Sequence, residues 1–403
     1  MRWEKFENIF WDITSKYSKI PKEEYLEKGK FAVVDQGKDF IGGYTNNSSL
    51  VNESVNPRII FGDHTRALKY IDFPFAIGAD GVKVLSPKSS NYHAKYLYYF
   101  LHGVQIPNAG YSRHFKFLKE IKIPIPETLN DQIKIATILT QAEKLIAQRK
   151  QSIALLDEFL KSTFLEMFGD PSSNSRGWLL KTLKDVCSKI QDGTHFSPPI
   201  IESGRPYLTA KHVRENKIDF WANPWFISEE SHRAIYKRCS PKKGDVIYIK
   251  DGATTGYAAI NKYDFEFSML SSLALLKANT KFINSEYLCS WLNNPNAKAS
   301  ILKRMAGGAI KRLTLTKINA LQILLPPLPL QTQFAQIVEK TEALKTQYKA
   351  SLLELQNLFG SLSQKAFKGE LDLSKMQITD VEEYAVAANE QHRKDKAILE
   401  AVS

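Results

Sequence analysis

LTQAEKLIAQRKQSIALLDEFLKSTFLEM (139–167) and VEKTEALKTQYKASLLELQNLFGSLSQKA (338–366) place their seam residues at the same alternating three- and four-residue spacing. In the first stretch the seam is Leu139, Ala142, Ile146, Arg149, Ile153, Leu156, Leu160, Thr163 and Met167. In the second it is Val338, Thr341, Lys345, Tyr348, Leu352, Leu355, Phe359, Leu362 and Ala366, each 199 residues further on. This period predicts two long helices, 130–169 and 331–369, each roughly 60 Å at 1.5 Å per residue. An apolar stripe on an otherwise polar helix needs a partner, and two stripes of equal length and register fit each other. The expected pair is antiparallel, because the chain must turn within the short PSSNSRG segment (171–177), and it places the flanking domains at opposite ends. Its packing residues are Leu139, Ile146, Ile153, Leu156 and Leu160 against Val338, Tyr348, Leu352, Leu355 and Phe359. Arg149, Thr163, Thr341 and Lys345 interrupt the seam and mark where the pair would open to admit other subunits.

Working outward, each helix follows a globular head: 1–129 before the first, 170–330 before the second, with an acidic tail at 370–403. The heads echo one another. Trp3, Phe6 and Ile9 resemble Trp178, Leu183 and Val186, and RIIFGDHT (58–65) lines up with DVIYIKDG (245–252), where matching acid to acid, with a shift of one residue, sets Asp63 against Asp251. Val82, Val84 and Leu85 match Leu273, Leu275 and Leu276; Tyr96-Leu97 matches Tyr287-Leu288; IKIPIPETLNDQ (121–132) matches LQILLPPLPLQ (321–331). Shared order makes this an internal duplication. Alternating β-branched runs between Gly and Asp turns predict mixed α/β (α+β) heads, two copies, separated by a long antiparallel two-helix coiled-coil spacer with pseudo-two-fold repeat. Pro124, Pro126, Pro326, Pro327 and Pro329 would end a strand and form a stiff elbow into each helix, the first capped by Asn130 and Asp131.

The net charge is +12 over 403 residues. The first helix holds five basic and five acidic residues, the second five and three, and the tail four and eight. Excess positive charge therefore belongs to the heads, which suits heads that meet a polyanion and helices that meet protein. Cys187, Cys239 and Cys289 are too scattered for a disulfide framework or zinc site, and no run approaches the roughly 20 apolar residues of a bilayer span. A reduced, cytoplasmic protein is expected.

Catalytic patterns fail one by one. Asn223-Pro224-Trp225-Phe226 lacks the second proline of an amino-methyltransferase motif, and no phosphate loop or Gly-rich cofactor loop is present. Asp192 and His195 lie within one turn and read as a structured loop. Lys250-Asp251 lacks the acidic partners of a nuclease, and the histidines lack metal-ligand spacing.

Base edges and phosphates are met by Arg, Lys, Asn, Gln, Ser, Thr and His on turns. In head one these are Gln36, Lys38, Tyr44, Asn46, Asn47, His64, Arg66, Arg113 and His114. In head two they are Thr194, His195, Lys211, His212, Arg214, Lys250, Thr254, Thr255, Arg304, Lys311 and Arg312, with RMAGGAIKRLT (304–314) offering a glycine pair beside two cations.

DGTHFSPP (192–199), GDVIYIKDG (244–252), LLPPLPLQTQFAQIV (324–338), NDQIKIATIL (130–139) and AFKGEL (366–371), together with the two-copy layout, resemble the specificity subunit of a type I restriction–modification system over nearly the whole chain. The resemblance implies that each head is a target-recognition domain for half of a split double-stranded DNA site, and that the helices are a spacer that docks two methyltransferase subunits. Those partners would use S-adenosylmethionine, and motor-nuclease subunits ATP and Mg; this chain would bind no cofactor and perform no chemistry. Head one departs from the pattern in lacking a DGTH loop. A protein-only scaffold with two binding heads and a single-chain restriction–methylation enzyme are the alternative readings.

Overall fold

The computed structural model describes residues 1–52, 56–78, 80–108, 110, 112–303 and 312–374. It divides into two compact units, Met1–Lys150 together with the chain from Ala350, and Gln151–Lys349. The boundaries fall inside the two long helices, Leu129–Phe168 and Leu328–Lys368, rather than at the head–helix joints set by the sequence reading. Each unit is therefore a head plus half of each helix.

In the first unit, Arg2–Lys5 pairs antiparallel with Lys122–Ile125, the strand that leads into the helix. A four-stranded sheet follows in the order Phe10–Asp12, Val82–Pro87, Arg58–Gly62, Leu68–Ile71. Its Arg58–Gly62 strand is buried along its whole length, as the near-continuous apolar run IIF requires of a strand covered on both faces. The second unit repeats this plan. Leu179–Thr182 pairs with Gln322–Leu325, and the sheet runs Cys187–Asp192, Leu273–Ala278, Val246–Ile249, Ala258–Ile260. Each head adds a second small sheet containing a parallel pair, Phe31–Val34 with Phe75–Gly78 in one and Arg205–Leu208 with Ser268–Met269 in the other.

The duplication persists in individual hydrogen bonds. The Tyr96 hydroxyl donates to the Pro124 carbonyl at 2.6 Å, and the Tyr287 hydroxyl to that of Leu324 at 2.6 Å. At each helix entry a buried glutamine ties head to helix. Gln132 accepts from the His93 amide at 2.9 Å and donates to the Asn91 carbonyl; Gln331 accepts from the Asn284 amide at 2.9 Å and donates to the Phe282 carbonyl. Ladder registers correct two alignments. Gly62 opposes Val82 as Ile249 opposes Leu273, so Asp63 corresponds to Lys250 and not to Asp251. Arg2 opposes Ile125 as Leu179 opposes Leu325, so Trp3 corresponds to Leu180; Trp178 instead donates its indole N–H to the Phe168 carbonyl at 2.8 Å.

The joints also differ in detail from expectation. Pro124 does not stop its strand; it lies inside Lys122–Ile125 opposite Trp3. The first helix starts at Leu129 and is capped by Thr128, whose hydroxyl accepts from the Asp131 amide at 3.1 Å and meets the Asp131 carboxylate at 2.8 Å. Pro329 sits in the first turn of the second helix, where a missing amide costs nothing.

The helices pair antiparallel within each unit. In the first, Ile135, Ala136 and Leu139 share a core with Phe359, Leu362, Ala366 and Phe367. In the second, Leu160, Phe164, Met167 and Phe168 share one with Phe334 and Val338. Phe367 lies 5.5 Å from the Tyr96 ring, and Phe168, its counterpart in the repeat, 4.7 Å from Tyr287. Each head thus encloses the end of the helix that follows the other head; burying Phe168 contributes on the order of 2–3 kcal/mol, and the half-buried Phe367 contributes less. Every seam position read from the sequence is buried or half-buried. The interruptions at Lys345 and Thr341 do not open the pair. Lys345 bonds Asp157 at 2.6 Å and Glu342 at 2.8 Å, and the Thr341 hydroxyl donates to the Ile337 carbonyl at 2.8 Å.

Candidate nucleic-acid interface

Strand direction brings most of the second head's chemistry to one end of its four-stranded sheet. Asp192 ends the first strand and pairs with Ala274, Ile249 ends the third and pairs with Leu273, and Ala258 begins the fourth. The segments leaving there carry Thr194 and His195, Lys250, Thr254 and Thr255. Arg312 joins them, bridged to Asp251, with its Nε 3.5 Å from the Asp251 carboxylate. Lys211 is nearby in the chain path, since the neighbouring Ala210 amide donates to the Ser272 hydroxyl at 3.4 Å while the Ser272 carbonyl accepts from Lys250.

Asp192 is the electrostatic centre of this end. Its carboxylate, 4% exposed, lies 3.5 Å from the Lys250 ammonium, 3.2 Å from the Arg238 guanidinium and 3.2 Å from the His195 imidazole. Arg238 also donates to the Asp192 and Gly193 carbonyls. Burial pulls the Lys250 ammonium below the ordinary lysine range, and Asp192 works against that fall. The loop after Asp192 is pinned on both sides, by the Thr194 amide to Met269 and the Ser271 amide to Thr194, both at 2.8 Å. Gly193 is required by close approach: a Cβ there would meet the Met269 carbonyl oxygen at 1.8 Å. On this fixed loop His195 and Phe196 remain exposed, Phe196 by 59%. Thr194, His195 and Phe196 face Ala234, Ile235 and Arg238 of the Glu229–Arg238 helix across a cavity of about 460 Å³.

The first head gathers Gln36, His64, Arg66, Arg113 and His114 at the matching sheet end. Gln36 donates to the Asp80 carbonyl at 2.9 Å and takes the His64 amide at 3.3 Å, while Thr65 donates to the Gln36 carbonyl. The His114 amide donates to the Asp63 carbonyl at 2.9 Å as Leu313 does to Lys250 at 2.8 Å. Arg113 and Arg312, one residue earlier in each head, are therefore equivalent, and both are exposed. Each stands near an acid, Arg312 beside Asp251 and Arg113 in the field of Asp80, whose carboxyl is held below its usual range mainly by Lys19.

Several candidates lie inside the heads rather than on their surface. His114, His212, Lys250, Thr194 and Thr255 are buried, because their polar groups are consumed inside the heads. His114 Nδ1 contacts the Asp63 carbonyl at 2.8 Å, the Thr255 hydroxyl donates to Gly252 at 2.6 Å, and His212 bridges Thr209 and Asn223. Asn223-Pro224-Trp225-Phe226 supplies that carbonyl and packs Trp225 edge-on to His212, which is its structural purpose. Lys38, Asn46, Asn47, Lys211 and Arg214 are exposed and Tyr44 and Thr254 half-buried. Tyr44 and the adjoining Asn46 and Asn47 belong to the Gly43–Thr45 edge strand and its turn, in the other sheet of head one. Arg304, Lys311 and the tail beyond Ser374 lie outside the described residues. Arg238 and Phe196 were missed. Phe196 is visible in the DGTHF motif, whereas nothing in the sequence ties Arg238 to Asp192. Among the described residues no group of three metal-ligating side chains occurs, and no helix is long and apolar enough to cross a membrane.

The family model for the type I restriction modification DNA specificity domain matches residues 8–156 and 175–355. The EcoR124I/EcoR124II type I restriction enzyme specificity subunit of Escherichia coli is 27% identical over 224 residues, 54% of this chain and 52% of that one. The MjaIX specificity subunit of Methanocaldococcus jannaschii is 23% identical over 277 residues, 64% of this chain and 62% of its own. The chain thus spans between half and two thirds of the length of these relatives. Among solved structures, the S subunit of a type I restriction–modification system from M. genitalium superposes with a TM-score of 0.58 at 18% identity, over 91% of this chain and 96% of that one, a likeness of fold.

Proposed function

This chain belongs to the type I restriction–modification DNA specificity family, and on that premise we propose that it reads a bipartite duplex DNA target and performs no chemistry itself. Each head would meet one half of the target with the sheet end described above, and the paired helices would set the gap and dock two methyltransferase subunits, through which motor-nuclease subunits join. S-adenosylmethionine, ATP and Mg would serve those partners in the cytoplasm, with no cofactor on this chain.

The observation that carries the reading is the equivalence of Arg113 and Arg312. Phosphates are spaced alike in every sequence, so a duplicated protein can meet them with a duplicated cation. The purified chain, alone or with its methyltransferase subunit, is expected to bind duplex DNA with an affinity that falls steeply as salt rises. Arg113→Ala and Arg312→Ala should each flatten the plot of log affinity against log salt by about one, leaving the methylated motif unchanged. Binding that ignores salt would favour a protein-binding scaffold, and methylation by the chain alone would place chemistry within it.

A further inference from the structure

What the two heads share suits the DNA backbone; what they do not share is where different half-sites can be told apart. The cavity between Thr194–Phe196 and the Glu229–Arg238 helix belongs to the second kind. Among the described residues, the chain between the first and third strands of the first head's sheet holds no α-helix, only three-residue 3-10 turns such as Thr14–Lys16 and Ser48–Leu50. We propose that this cavity is the base-reading site of the second head, taking one nucleobase turned out of the duplex stack, with its face against Phe196 and its polar edge toward His195 and Arg238. The inference rests on the DNA-reading function proposed above.

Three features fit a base better than a phosphate. The floor is apolar, formed by Ala234 and by Ile235, which is 5% exposed, and Phe196 offers an aromatic face to solvent. A base has a π-face and an edge of donors and acceptors, the combination that an exposed ring beside an imidazole and a guanidinium can meet. The cavity, at about 460 Å³, exceeds what one phosphate fills. Finally, the polar groups are already committed in part: the Arg238 guanidinium and the His195 imidazole are both held by Asp192, which fixes their directions and offsets the Arg238 charge that an anion site would use. Asp192 is on this account a positioning residue. It touches no DNA, but sets where the edge-reading groups point.

The test uses the full chain expressed with its methyltransferase partner, and long-read mapping of methylated adenines. Phe196→Ala should relax base preference in the half-site read by the second head and leave the other half-site unchanged. On a duplex carrying the mapped wild-type motif its affinity should fall about tenfold, with an unaltered salt slope. Asp192→Asn should relax the same half-site; Phe196→Ala, at an exposed position, keeps the test decisive if Asp192→Asn fails to fold. An unchanged motif overturns the inference. A salt slope reduced by about one with the motif intact also overturns it, by showing a phosphate contact. Wild-type protein that shows no salt-dependent DNA binding would instead sink the function on which it rests.

Discussion

His212 shows how little a residue's type says about its duty. Its Nδ1 accepts the Thr209 amide at 2.9 Å, so that nitrogen carries no proton; its Nε2 faces the Asn223 carbonyl at 2.9 Å, so that one does. The ring is a neutral tautomer, and burial, outweighing both hydrogen bonds, lowers its pKa below the ordinary histidine value. Burial lowers His232 in the same head likewise. The unfolded chain then takes up protons first as pH falls. Stabilisation is complete above about 6.5 and is lost as pH drops through that value toward the native one. The melting temperature of the second head should fall between pH 7.5 and 5.5, and fall less in His212→Asn whatever that variant's absolute stability; an equal fall would show that another group titrates. From sequence, His212 and Lys211 are indistinguishable polar residues on one turn, yet one is 1% exposed and the other lies in solvent. Turn chemistry reveals where a loop is and not which of its side chains points inward. The equivalence of Arg113 and Arg312 went unread in the sequence, although it follows the helices' own offset of 199 residues, because the head strands align at different offsets.

Among the elements, the spacer seam carries one asymmetry that the repeat does not explain. Lys345, 8% exposed, is held by Asp157 of the other helix, whereas the equivalents of these two residues are Ile146 and Gln356. Burial pushes the Lys345 ammonium down, but hydrogen bonds to Asp157 and Glu342 more than offset it and its pKa ends raised. The pair is therefore intact throughout the neutral range and is lost only as pH rises through that raised value. Two helices with one shared heptad frame can pair in several apolar registers, and a single buried polar contact selects among them. Lys345→Met should leave stability within about 1 kcal/mol, because a long apolar side chain fills the same space. Asp157→Ala should cost about 1 kcal/mol, the discount reflecting a carboxylate that is half exposed. Urea denaturation measures both; a loss of several kcal/mol in Lys345→Met would mean that the pair supplies stability rather than register. Sequence periodicity located Lys345 on the seam, but the tertiary contact that closes it came from a residue off the stripe.

For the whole molecule, the duplication was the most legible property, because a constant offset survives substitutions that erase single matches. What it could not reveal is that each compact unit borrows the end of the other copy's helix, as Phe168 and Phe367 do. Under the proposed function this makes spacer length a determinant of the target. Removing 146–152 with the antiparallel counterpart 350–356, matched by the Asp157–Lys345 contact, takes one heptad from both helices while keeping the remaining seam in register. Seven residues correspond to about 10 Å of helix, or about three base pairs, and to only about 20° of rotation. The gap between methylated half-sites should shorten by that amount while both half-sites keep their sequences. Deleting 146–152 alone should misalign the pair and abolish specific binding. A gap unchanged by the paired deletion, in protein that still binds DNA, would mean that something other than these helices sets the spacing.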